Sequence, residues 1–220
     1  MSLRSLLAPS WRGLLLALML VSTAFSSAQA SVPPNPSRSF PELQSLFPRF
    51  SQLPEGLVLV EEGGRNASEI AATFPDPDDA AAIMRTTDWA FNAYQAYESS
   101  DANGLQALSR LEISFHQFSS DTGAAFAMPF FIHARARVLD RTEVPPWEMG
   151  NTCDGAVTTE YEVTRYRRIG DLLVRVTAAA SPELSPGDGY YVALEAASRT
   201  MDAVTSSAGS SRQFLESSCR

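Results

Sequence analysis

Lysine is absent from the 220 residues, and all 17 basic side chains are arginine. We read this as the base composition of a genome and attach no chemistry to it. Histidine and cysteine are scarce, two of each. His116 and His133 share no ligand spacing, and no H-E-x-x-H exists, which disfavours a zinc hydrolase and leaves no metal site to expect. There is no Walker loop, no G-x-G-x-x-G and no G-x-S-x-G elbow, so neither a nucleotide cofactor nor an α/β-hydrolase site has support. The carboxylates are scattered, and no pair stands out as the acid and base of a glycosidase. Excess positive charge is missing too: formal net charge is −8. Such a chain has no general attraction for nucleic acid or an anionic membrane surface.

Long apolar runs are also lacking. The longest, Gly13 to Phe25, falls short of the roughly 20 residues of a comfortable membrane span. It follows Arg4 and Arg12 and precedes Ala28-Gln29-Ala30. Together these read as a secretory signal over residues 1–30, cut after Ala30. Cleavage would remove both leader arginines and leave −8 − 2 = −10. No membrane span is expected after cleavage, which places the chain in the periplasm, at the cell surface or outside the cell. Residues 31–52 carry five prolines and read as a linker or arm. Its apolar residues Phe40, Leu43, Leu46, Phe47 and Phe50 have the spacing of a short helix that docks on the body or on a partner. Residues 53–204 form a single domain, and residues 205–220 a serine-rich tail.

Within the domain one stretch is strongest. Leu111, Ile113 and Phe115 alternate with Arg110, Glu112, Ser114 and His116, the period of a strand with one buried face. Phe118 breaks that parity and predicts a bulge or strand end near Gln117. One of Ser119, Ser120 or Asp121 then caps a helix that runs to Val138. Ala125, Met128, Phe131 and Ile132 mark its apolar face, widened by Phe126 and Phe130. Pro129 predicts a kink, or a second helix starting there. Upstream, Leu57 to Glu62 reads as a strand closed by a Gly63-Gly64 turn. Asn66 caps a helix over Ala67 to Thr73. Asp76 caps another, with Pro77 in its first position. Asp88 to Ser100 reads as an aromatic strand, although its alanines leave helix open. Val157 to Arg167 and Leu172 to Ala178 pair across Arg168–Asp171. The last helix is Tyr190 to Val204, with Tyr190, Leu194, Ala197, Met201 and Val204 on one face. The order β-α-α-β-β-α-β-β-α predicts an α+β fold, a mainly antiparallel sheet flanked by helices as a sandwich.

The candidate ligand surface is the aromatic stripe Trp89, Phe91, Tyr94 and Tyr97, joined by Phe130 from the helix. It suits a small apolar or amphipathic ligand, or a protein of the cell envelope. The alternative is an envelope hydrolase with a site near His116. A third reading is a structural protein that works through its arm, residues 31–52. No catalytic residue and no cofactor are assigned. Cys153 and Cys219 are expected to pair in an exported protein, contributing about 3–4 kcal/mol by the chain-entropy model. Pairing between chains stays open.

Leu53-Pro54-Glu55-Gly56-Leu57, Ala72-Thr73-Phe74-Pro75-Asp76-Pro77 and Ile113-Ser114-Phe115-His116-Gln117-Phe118 resemble a group of uncharacterised exported bacterial proteins. So does Arg168-Ile169-Gly170-Asp171-Leu172-Leu173-Val174-Arg175-Val176, followed by an alanine-rich helix. More distantly, the succession of elements looks like the extracellular sensor domains of bacterial receptor Ser/Thr kinases. The resemblance covers most of residues 53–204. It implies an antiparallel sheet flanked by helices and a ligand cleft, and it carries over no functional residue.

Overall fold

Two neighbouring hairpins, laid side by side, organise the molecule. The computed structural model describes residues 40–100, 107–140 and 153–209; the expected leader and the ends of arm and tail lie outside them. Strands β2 (Trp89–Ser99) and β3 (Leu108–Phe118) form the first hairpin, β5 (Glu162–Ile169) and β6 (Leu172–Ala180) the second. β3 pairs with β6 and joins them; β1 (Leu57–Arg65) and β4 (Asp154–Thr158) close the edges. The order is β1-β2-β3-β6-β5-β4, every pair antiparallel. This is the α+β sheet that the alternation predicted.

Each face of the sheet has its own core. On one, Leu111, Ile113 and Phe115 of β3 and Val174, Val176 and Ala178 of β6 meet Ala193, Ala197, Met201 and Val204 of the last helix, α5 (Pro186–Gly209). The short helix α1 (Phe40–Gln44) adds Leu43, fully buried against Ala93 and Leu172, so this part of the arm docks on the body. The other face packs under α2 (Ala67–Ala71), α3 (Pro77–Thr86) and α4 (Asp121–Val138). The caps fall where expected. Asn66 accepts from the Ser68 and Glu69 amides, Asp76 from Asp79 N, and Ser120 from Gly123 N at 3.0 Å. Each such cap contributes about 1 kcal/mol.

Several expectations are corrected. β1 does not stop at Glu62; it continues through Gly63 and Gly64 to Arg65. The glycines are needed because aromatic rings of β2 lie across them. A Cβ on Gly64 would overlap the Phe91 ring, and one on Gly63 would touch the Tyr94 ring at 3.4 Å. β3 keeps its parity through Phe118, which is buried under α4, and the nearby bulge lies on β2 between Trp89 and Phe91. α4 is continuous through Pro129. Phe126 is 75% exposed and leaves the apolar face, which Ala124, Ala127, Met128, Phe131 and Ile132 form instead. The strand expected over 157–167 is two strands. Thr159 folds back to accept from Glu162 N at 2.9 Å and turns the chain between them. α5 runs on to Gly209, five residues into the expected tail.

Gly64→Ala should therefore destabilise the domain by about 1–3 kcal/mol through overpacking against Phe91. Gly187→Ala, where an added methyl meets open space, should not destabilise it. Urea denaturation of the two variants checks the contrast.

Candidate functional site

The five aromatics chosen from the sequence do not form one surface. The bulge at Ala90 turns Trp89 to the α4 face, where it joins Phe118 and Met128. Tyr94 is on that same face further along the strand. Its hydroxyl donates to Glu61 Oε1 at 2.5 Å, and the Arg65 guanidinium lies 3.6 Å over its ring. The bond to Glu61 raises its pKa, with burial adding to the effect. Phe91 packs with Ala93 and Leu43 on the opposite face. Tyr97 enters the core beneath α5 and donates to Gln95 at 2.6 Å; burial pushes its pKa to about 12. Phe130 stacks on Phe74 at 5.4 Å, on α4.

The even-numbered residues of β3, expected on a polar outer face, lie under or beside α4. Glu112 pairs with Arg175 of β6. Burial pushes the Glu112 carboxyl up, but the Arg175 and Arg110 charges outweigh it and hold it below the usual value. Arg135 of α4 pairs with Glu162 of β5, and Tyr166 donates to the Phe131 carbonyl at 3.3 Å. A crevice of about 40 Å³ between Phe74, Phe131, Arg135, Tyr166 and Arg175 has room for little more than a water.

His116 is 1% exposed. Its ring meets Phe131 at 4.5 Å, and Nε2 is 3.3 Å from Ser114 Oγ. Asn92 Nδ2 donates to the same oxygen at 2.7 Å. With Asn92 donating, Ser114 can donate to Nε2, which suits the neutral imidazole; Nδ1 has no partner. Burial, then the Arg175 and Arg65 charges, lower the His116 pKa well below its usual value. A serine beside a histidine invites a hydrolase reading. Ser114 is fully buried as well.

Open concavities lie on the α5 side. One, about 580 Å³, is a polar hollow between Ser45, Arg49, Gln52 and Ser206. The other, about 460 Å³, has an apolar floor of Pro54, Leu108, Val192 and Ala196, with Glu55, Glu195 and Arg199 at its rim. Its volume is that of a small-molecule site. Val192, Glu195, Ala196 and Arg199 form one helical stripe at i, i+3, i+4 and i+7. Ala196 lies on the floor of this hollow beside Leu108 at the start of β3. The opposite wall is pinned. Gly56 takes φ 77°, open to glycine, and its carbonyl accepts from Ser100 N at 2.8 Å and Ser100 Oγ at 2.9 Å. Sequence periodicity pointed to the neighbouring stripe, Ala197, Met201 and Val204, which is core. The residue it passed over was Ala196, next to that stripe and on the groove floor.

Among the described residues no cluster of three His, Cys, Asp or Glu side chains could hold a metal ion. No helix there is long and apolar enough to cross a membrane. Cys153 is buried, and no described cysteine is free; Cys219 lies outside the described residues.

Lowered by burial, the folded pKa of His116 makes stability depend on pH. Below about pH 6.5 the unfolded chain binds a proton that the folded chain refuses, so stability falls as pH drops. His116→Phe should remove up to about one proton from the slope of stability against pH between about 6.5 and 5. Urea midpoints measured across that range test this; an unchanged slope would contradict it.

No family model matches the sequence, and no curated protein does. The chain is similar to the extracellular domain of PknH from Mycobacterium tuberculosis, at a TM-score of 0.41 and 10% identity, over 78% of this chain and 98% of that one.

Proposed function

We propose that this chain is an exported, non-enzymatic binding domain that holds a small apolar or amphipathic ligand in the groove between α5 and the starts of β1 and β3. The groove itself carries the reading: about 460 Å³ with an apolar floor and charge confined to its rim. An apolar body would cover Leu108, Val192 and Ala196, and a polar end would meet Glu195 or Arg199. These two are paired across one helical turn at 3.6 Å and well exposed, so either can turn outward at little cost. Of the five aromatics first chosen, Tyr97 belongs to the core on which this floor rests. Export is supported by the signal pattern of residues 1–30.

Native mass spectrometry of protein taken from its own host tests the binding reading. The native mass should exceed the denatured mass by one ligand, and Ala196→Trp, which fills the groove, should lose that adduct while keeping the fold. A wild-type protein without adduct, or an Ala196→Trp variant that retains it, would reject the groove. The same denatured spectrum bears on export. It should start at Ser31 and lack the two hydrogens of paired thiols; an intact leader with alkylatable cysteines would contradict export.

A further inference from the structure

Among the described residues β1 stands at an edge of the sheet, with β2 on one side only. An edge strand presents a row of backbone N–H and C=O groups with no ladder partner. Proteins usually guard such edges with lysine, proline or a covering element, and β1 contains neither residue. Instead it shows three large apolar side chains in succession: Val58, Leu59 and Val60 are 43%, 44% and 50% exposed. Around them the charge is mainly negative, with Arg110 of β3 opposite Glu98 in register. Glu61 and Glu62 follow on the strand, and Glu98 of β2 is the register partner of Val58. None of these three carboxylates forms an ion pair among the described residues. Glu61 accepts from Tyr94 and Glu62 from Gln95 at 3.1 Å, both neutral donors. The nearest cation on the strand, Arg65, is held over the Tyr94 ring.

We propose that β1 is a docking edge for an extended segment of a protein partner that alternates apolar and basic residues. The segment adds to the sheet as a further strand, so its backbone takes up the free row of β1. Its side chains alternate between the two faces, so its apolar ones cover Leu59 on one face and its basic ones meet Glu61 and Glu98 on the other, with Glu62 adding to the same negative field. Charge selects this occupant over a second copy of the chain. Edge-to-edge pairing of two β1 strands would gather six unpaired carboxylates, a like-charge arrangement that opposes pairing. This edge is a different surface from the α5 groove and does not depend on it.

The probe is a capped heptapeptide of alternating valine and arginine, beside its valine–glutamate analogue. Calorimetry gives the affinities, and amide hydrogen exchange locates the contact. The arginine peptide should bind at least about tenfold more tightly than the glutamate peptide, a difference of about 1.4 kcal/mol. It should slow exchange at residues 57–65. Glu62→Lys combined with Glu98→Lys should weaken it by at least about tenfold. Should that variant fail to fold, raising salt from about 0.05 to 0.5 M on the wild type should weaken it comparably, since rim charges are screened. The groove-filled variant Ala196→Trp should bind the peptide like the wild type, whatever becomes of the small ligand. Equal binding of both peptides would overturn the proposal, as would protection away from β1 or no binding at millimolar peptide. Protection of residues 57–65 in a peptide-free dimer would assign the edge to a second copy and reject the partner segment.

Discussion

The ion pair between Glu112 and Arg175 sits on the ladder that holds the two hairpins together. β3 and β6 are the only described strands that join one hairpin to the other, and the pair lies diagonally across them. Both side chains are less than a fifth exposed. A lone charge there would cost several kcal/mol, so each carboxylate and guanidinium requires its partner. The requirement also fixes register. A slip of β6 by one residue against β3 would carry Arg175 to the face of Ile113 and Phe115, away from Glu112. The pair is thus a constraint on which β3–β6 alignment can exist, more than a source of net stability.

From this constraint the two layers acquire different characters. The α4 side must satisfy a polar centre. It does so with Arg135 on Glu162, Tyr166 on the Phe131 carbonyl, and Ser114 between Asn92 and His116. Each of these contacts ties helix to sheet or strand to strand, and little room remains. The α5 side is apolar at its centre, where burial and dispersion hold it, while Arg165 bonds Ser198, and Arg167 bonds Asp202 and Thr205, at its margin. A small residue there costs some packing and nothing in unsatisfied polar groups, so a hollow over Ala196 is tolerable. The proposed groove lies on this face, beside Leu108, Val192 and Ala196.

Period two and turn chemistry made most of this sheet legible. Leu111, Ile113 and Phe115 announced β3, Gly170 with its positive φ marked the β5–β6 turn, and Asn66, Asp76 and Ser120 marked helix starts. Alternation could not say what covers a polar face. Arg110, Glu112, Ser114 and His116 look the same in sequence whether water or a helix lies above them, so Phe118 looked like a break in pattern when it was part of a second core. Gly63-Gly64 reads as a turn unless the rings of Phe91 and Tyr94 are known to cross it. The groove was the least legible feature, because Ala196 on its floor lies next to a stripe that is core.

A double-mutant cycle on Glu112→Gln and Arg175→Met, read by urea denaturation, tests the ion-pair constraint most directly. Either single change should strand the other charge and destabilise the domain by more than the double change does. The coupling should be at least about 1 kcal/mol. Two mild single effects that simply add would show that the pair does not set the β3–β6 alignment.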